Sequence, residues 1–172
     1  GVTDSDQPTG VAMIQIDEAG ENAIGVLPGA NAHLSVEAVR TGLAGLTSQD
    51  LVLLQQEVPQ AATRAAIDLA RAVGATSVLN VAPVLPDSAE VAPHADIVIA
   101  NETEFRLIAR AAPTRQAARD WCGTTGRRLA LTLGAGGAIF ASADHALHVP
   151  APKIEPLDTV GAGDTFAGYL AA

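Results

Sequence analysis

The chain has 172 residues, the length of one ordinary domain, and 48% of them are hydrophobic against 17% charged, which supplies a core and excludes disorder. Ten Lys and Arg against nineteen Asp and Glu leave a net charge of −9, which argues against nucleic-acid or anionic-membrane partners, since both require basic patches. No apolar run reaches the roughly 18 residues of a membrane span, nothing at the start reads as a secretion signal, and the single Cys122 allows neither an internal disulfide nor a cysteine-rich zinc site, so the expected location is the cytoplasm.

Two short apolar runs come first, VAMIQI (11–16) and AIGVL (23–27), separated by the polar DEAGEN segment in which Gly20 can supply a positive φ. They predict a β-hairpin with a longer loop. A Gly/Asn loop follows, and Ser35 is placed to cap a helix running to about Leu43, with Gly45 where it should end. LVLLQ (51–55) is a continuous apolar run of the kind expected in a strand buried on both faces. Pro59 is placed to start a helix with Ala62, Ala66, Leu69, Ala70 and Val73 on its apolar stripe, closed by Gly74.

SVLNV (77–81) predicts a strand, PVLP breaks the chain, and a short helix is expected near 87–92. DIVIA (96–100) predicts the next strand. Asn101 then caps a helix to about residue 110, and Thr114 caps another over roughly 115–122 that ends near Gly123 or Gly126. LALTL (129–133) is a further strand. GAGG (134–137) leads into an apolar stretch over 137–142, with LHV (147–149) able to pair with it, and DTVGAGDTFAGYLAA begins as loop and turns into helix. Strands alternating with helices predict an α/β fold with a parallel sheet and right-handed crossovers. The chain starts at Gly1, has Met13 as its only methionine, and stops at Ala172 inside a helical pattern; it is expected to be a piece of a longer protein.

In an open α/β sheet, ligands bind beyond the carboxyl ends of the strands. Four polar or glycine-rich segments stand there: QQE (55–57), NETE (101–104), TLGAGG (132–137) and DTVGAGD (158–164). In the last of them Gly161, Ala162 and Gly163 bring bare backbone N–H groups to a helix start, which is a ready anion site. Asp164 in that turn reads equally as a helix-start charge stabiliser or as a general base beside a phosphate. NETE reads as a helix cap with an acidic first turn as well as a site. TLGAGG reads as a simple turn as well as a phosphate loop. No Lys follows these glycines as a P-loop requires, and residue 166 is Phe where a dinucleotide fingerprint starting at Gly161 needs its third glycine. The four histidines and Trp121 carry no functional reading, and Cys122 reads as a small buried side chain.

These segments together resemble the ribokinase, or PfkB-type, family of sugar kinases. DTVGAGDTFAG (158–168) resembles its second signature, NETE its Asn-x-x-Glu motif, and TLGAGG its nucleotide loop, all in the family's order. Within the family, TGVAMIQIDEAGENAIGVLPGANAHLS (9–35) and QQEVP (55–59) resemble the ribokinase branch. The resemblance covers nearly the whole chain. It implies a three-layer, ribokinase-like α/β fold with a mainly parallel sheet, partial in this chain. Residues 1–30 would be a lid hairpin returning to the core, and 31–172 a kinase core without its N- and C-terminal parts. It also carries one departure: Gly168 is followed by Tyr169, where the family has a small residue.

The activity implied is ATP-dependent phosphorylation of the primary hydroxyl of ribose. Asp164 would be the base, with the N–H groups of Gly161, Ala162 and Gly163 as the anion hole. Asn101 and Glu104 would position Mg²⁺ and phosphates, largely through water. Thr132, Leu133, Gly134, Ala135, Gly136 and Gly137 would form the ATP loop. Asp158, with the carbonyl of Val160, would hold an activating K⁺, and Glu57 would touch the sugar. A homodimer through the lid is implied for the full-length protein, while the piece alone is expected to have an incomplete site. The alternatives are another sugar or nucleoside kinase of the family, such as a fructokinase or ketodeoxygluconate kinase, and a non-catalytic, truncated nucleotide-binding module.

Overall fold

The computed structural model describes residues 5–16, 22–154 and 159–172. The DEAGEN turn, with Gly20, and the start of the last signature, with Asp158, lie outside the described residues apart from Asn22. Strands β1 (Val11–Ile16) and β2 (Asn22–Leu27) form a separate antiparallel pair in which Met13 faces Gly25 and Ile14 faces Ile24. The base of this hairpin is tight. A Cβ on Gly29, at φ +52°, would stand 2.3 Å from the Pro8 carbonyl oxygen, and the Ala30 N–H donates to that same oxygen at 2.8 Å. Both faces of the hairpin expose apolar side chains, among them Val11, Met13, Ile14, Ile24, Val26 and Leu27.

The six-stranded sheet follows chain order: β3 (Leu51–Leu54), β4 (Thr76–Asn80), β5 (Ile97–Asn101), β6 (Arg128–Thr132), β7 (Ala138–Ala141) and β8 (Ala146–Val149). β3 to β6 run parallel, and the last two pairings are antiparallel. The parallel strands are joined by helices, as crossovers require. These are α2 (Gln60–Val73), the single turn α3 (Ser88–Val91), and the pair α4 (Glu102–Ala109) and α5 (Arg115–Thr125); α1 (Val36–Gly42) precedes β3 and packs on α2.

Local chemistry sets the helix ends. Ser35, Asn101 and Thr114 accept first-turn N–H groups as N-caps, and Gly74 and Gly126 take left-handed conformations at the C-caps, where a side chain would be strained.

Period-two alternation divides the sheet into two faces. Leu79, Val98, Ala100, Leu129, Leu131 and Ile139 pack with Ile67, Phe105, Ile108, Ala118, Trp121 and Cys122 of α2, α4 and α5, forming the larger core. On the other face Val78, Ile99 and Ala130 meet Ala167 of α6 (Ala162–Ala171), and the Phe140 and Phe166 rings stack with centroids 6.1 Å apart. Helices above and below make three layers.

Two expectations are corrected. The strand at 51–55 is not buried on both faces: Leu51 and Leu53 are 38% and 43% exposed. Among the described residues β3 pairs only with β4 and so forms an open edge of the sheet. On α2 the buried stripe is Ala62, Thr63, Ala66, Ile67 and Ala70, whereas Val73 is 40% exposed because the helix closes at Gly74 just beyond it. Tyr169, the departure from the family pattern, is 84% exposed and leaves the α6 packing undisturbed.

Candidate functional site

The carboxyl ends of the parallel strands bring the singled-out segments to one edge of the sheet. Asn101 and Thr132 are register partners at the ends of β5 and β6, on the face that α6 covers. Beyond Thr132 the chain makes a tight 3-10 turn over Gly134–Gly136 before re-entering the sheet as β7. The turn is held from within: Leu133 N–H donates to Gly137 O at 2.8 Å, Gly136 N–H to Leu133 O at 2.9 Å and Gly137 N–H to Gly134 O at 3.0 Å. Three N–H groups of the loop are therefore spent on its own shape, leaving Gly134 and Ala135 as those available to face a ligand. His148 braces the turn from outside, its Nε2–H donating to Gly136 O at 2.7 Å. Sequence reasoning gave this histidine no role; only the β7–β8 pairing brings it there.

α6 starts at the same edge. Gly161, at φ +73°, occupies its N-cap, a conformation that Gly adopts without strain, and Asp164 stands exposed in the first turn. The first N–H groups of a helix lack intrahelical acceptors, so Gly163 and Asp164 present donors and the positive end of the helix dipole, whereas the Ala162 N–H, expected as an anion-hole donor, turns back to the Thr159 carbonyl at 3.3 Å.

A cavity of about 430 Å³ joins these pieces, with Thr132, Gly134 and Gly137 on one wall and Ala162, Gly163 and Phe166 on another. It continues along Val149, Pro150, Ala151 and Pro152. These four were missed by sequence reasoning. The register of β8 on β7 places Val149 opposite Ala138, and the following residues run past the mouth; a hairpin prediction extended past its last strand residue was the only available signal. Leu133, Ala135, Gly136, Gly161 and Asp164 do not line the cavity. The first three shape its loop, and the other two belong to the helix start that borders it.

Asn101 and Glu104 form a reciprocal capping box: Glu104 N–H donates to Asn101 Oδ1 at 2.9 Å, and Asn101 N–H donates to Glu104 Oε2 at 2.7 Å. The capping role is thus present in full. It leaves Glu104 Oε1 outside the box, which suits an outer-sphere contact to a hydrated cation better than direct ligation by both residues. Burial pushes the Glu104 carboxyl above its ordinary range, against the opposing pull of the Asn101 N–H. Among the described residues no group of three His, Cys, Asp or Glu is arranged to hold a metal by itself. No helix among them is long and apolar enough to cross a membrane.

Glu57 stands apart, at the end of β3. It is exposed on the edge of a second cavity, of about 380 Å³, formed with Val26, Pro28 and Ala32 below the hairpin and with Pro83 and Leu85 after β4. Its N–H donates to the side chain of Gln55.

Comparison with known proteins gives a consistent result. The model of the pfkB family carbohydrate kinases matches residues 2–172. A ribokinase of Staphylococcus aureus (strain COL) is 35% identical over 165 residues, which cover 93% of this chain and 54% of the relative. A deoxyribokinase of Salmonella typhi is 32% identical over 169 residues, covering 95% and 55% respectively. The structure of Arabidopsis thaliana ribokinase complexed with ribose and ATP aligns with a TM-score of 0.76 at 27% identity, over 97% of this chain and 57% of that one. The chain spans about half the length of the curated relatives it matches.

Proposed function

The chain belongs to the pfkB family of carbohydrate kinases, and from that premise we propose that its protein transfers the γ-phosphoryl group of ATP to the primary hydroxyl of ribose. The observation that carries this reading is the cavity shared by the glycine turn after β6 and the first turn of α6. Its N–H-rich end suits phosphates, and its walls of Val149, Pro150, Ala151 and Pro152 suit the flat apolar faces of a purine.

In this mechanism the Asp164 carboxylate takes the proton of the sugar hydroxyl as its oxygen attacks the γ-phosphorus, and ADP departs. The N–H groups of Gly161, Ala162 and Gly163 would receive the negative charge on the transferring oxygens, the Ala162 N–H by leaving the Thr159 carbonyl to which it donates at 3.3 Å. Catalysis of this kind is mainly positioning and charge stabilisation, and a single well-aimed donor is worth about 10²–10³ in rate. Thr132 and the loop from Leu133 to Gly137 hold the nucleotide. Mg²⁺ would neutralise phosphate charge, and Asn101 and Glu104 fit a water-mediated hold on it. Asp158 and the Val160 carbonyl are proposed to hold K⁺, by resemblance to the family. Glu57 would receive the sugar, and the hairpin of residues 1–30 would cover it, with the exposed apolar strands as the pairing surface of a homodimer in the full-length protein.

The deoxyribokinase relative supports 2-deoxyribose as a second substrate reading, so the test is a competition. The 172-residue chain is assayed with ATP, Mg²⁺ and K⁺ on ribose, 2-deoxyribose and fructose. Ribose turnover exceeding the other two supports the proposal, and preference for either competitor overturns the substrate. If the piece lacks turnover, the same assay applies to the protein extended to its relatives' length. There, Asp164→Asn should abolish turnover while ATP affinity stays within about twofold, and Na⁺ in place of K⁺ should lower the rate.

A further inference from the structure

A buried polar side chain next to Glu57 is not used by the mechanism above. Gln56 is 2% exposed, in a protein whose buried positions are otherwise mostly apolar. Its amide is fully committed. Nε2 donates to Pro83 O at 2.9 Å and to Ser88 Oγ at 2.7 Å, while Oε1 accepts from Gln60 Nε2 at 3.1 Å. Gln60 Nε2 also donates to Asp87 Oδ1 at 3.1 Å, Leu85 N–H donates to Ser88 Oγ at 2.7 Å, and Gln56 N–H donates to Ala82 O at 3.0 Å.

The chemistry fixes the amide orientations. Turning Gln60 over would set its oxygen against the Asp87 carboxylate and the Gln56 carbonyl. In the observed orientation Gln60 Oε1 is buried without a partner among the described residues. A buried acceptor left unpaired is costly, and such departures from polar satisfaction concentrate at functional sites.

The network joins two neighbouring strand-end loops. Gln56 belongs to the β3–α2 connection and Gln60 opens α2; Pro83, Leu85 and Asp87 belong to the β4–α3 connection and Ser88 opens α3. Glu57 is the exposed residue between the two glutamines, and Gln56, Glu57, Pro83 and Leu85 all line the 380 Å³ cavity.

We propose that Gln56 is a positioning residue that latches the β3–α2 loop to the β4–α3 loop and so holds the Glu57 carboxylate toward the sugar. This rests on the reading of Glu57 as the sugar-side carboxylate. The latch is selective by construction: it lies at the β3–β4 end of the sheet, whereas the nucleotide cavity lies at β6, β7 and α6.

The test uses Gln56→Met, which keeps volume and removes all three side-chain hydrogen bonds, with Gln60→Ala as a milder variant that decides if the first does not fold. Ribose and ATP affinities are measured separately, together with amide hydrogen exchange, in whichever length of the protein binds both ligands. The expected result is at least a tenfold loss of ribose affinity, ATP affinity within twofold, and about tenfold faster exchange at Glu57 and Val58 with Val98 and Leu131 unchanged. A smaller loss of the same pattern is expected for Gln60→Ala. Equal losses for both ligands, or exchange at Glu57 and Val58 unchanged, overturn the latch. If the unaltered protein binds no ribose, the sugar reading fails, and the exchange arm still decides whether Gln56 holds the loop.

Discussion

Gly137 lies directly under the end of β8: a Cβ built on it would stand 2.0 Å from the Val149 carbonyl oxygen and 2.6 Å from the Ala151 amide nitrogen. Those neighbours are backbone and cannot swing away. Gly137 also has φ +94° and ψ −136°, a region essentially closed to other residues. Gly137→Ala is therefore expected to cost about 3 kcal/mol or more, from strain and clash together. Gly134 is the internal control. It has φ +53° but no atom within 4 Å of the added methyl, so Gly134→Ala should cost only about 1–2 kcal/mol. Urea denaturation of the two variants checks this, and equal losses would contradict it.

The capping box separates structure from chemistry at Asn101 and Glu104. Asn101→Ala should cost about 1 kcal/mol by removing the cap. Glu104→Gln keeps a side chain able to complete the box and removes the charge that burial disfavours. The folded carboxyl is raised above its unfolded value, so its stabilising contribution is present at low pH and is lost as pH rises through the folded value. The Gln variant should thus be at least as stable as the parent at pH 7. If Glu104 serves the cation, the same variant needs about tenfold more Mg²⁺ for turnover. Unchanged Mg²⁺ dependence leaves capping as its whole role.

At the opposite end of the sheet, Asp96 gives an acid-side prediction. Burial opposes its ionisation, but the N–H of Ser77 and its hydroxyl donate to Oδ2 at 2.9 and 2.7 Å, and Arg127 adds its charge from 3.5 Å. The balance holds the carboxyl below its ordinary value of 3.8. A depressed carboxylate stabilises above its unfolded pKa, and that contribution fades as pH falls through the folded one. Asp96→Asn should therefore destabilise at pH 7 by about 1–3 kcal/mol, with the difference shrinking below pH 4. Denaturation midpoints at pH 7, 4 and 3 measure it, and a constant difference would reject the assignment.

Cys122 should be chemically silent in the folded chain. It is fully buried on α5, and burial pushes its thiol up to about 11. At pH 8 roughly one thiol in a thousand is then ionised, and the thiolate is the reactive form. A thiol reagent should label no protein under native conditions and one group per chain in urea. Native labelling at the urea rate would place Cys122 at the surface.

Much of this architecture can be read from residue types. Ser35, Asn101 and Thr114 cap helices because their side chains reach first-turn N–H groups, and Gly74 and Gly126 close them because they accept a left-handed backbone. These are local effects, fully written in a few adjacent residues. The exposure of Leu51 and Leu53 is not local, since it depends on what covers β3, and the apolar run of 51–55 looks the same whether one face or two are buried. The same limit applies to the site. The glycines and Asp164 announce themselves as a pattern, but Val149, Pro150, Ala151 and Pro152 become cavity walls only through the β7–β8 pairing. His148 and Gln56 likewise take their partners from other elements, 12 and up to 32 residues away.

The sheet reverses direction at β6, and the turn that reverses it is also the loop proposed to hold the nucleotide. Side chains on β7 alternate between faces, so Ile139 enters the helical core while Phe140 stacks on Phe166. One residue inserted between Thr132 and Ala138 would either bulge the turn or slip β7 by one position, exchanging Ile139 and Phe140 between the faces. Either outcome damages the cavity floor or the core beneath it. The loop is consequently constrained in length more severely than in composition: Ala135 has freedom to vary, whereas the count of residues between the two strands does not.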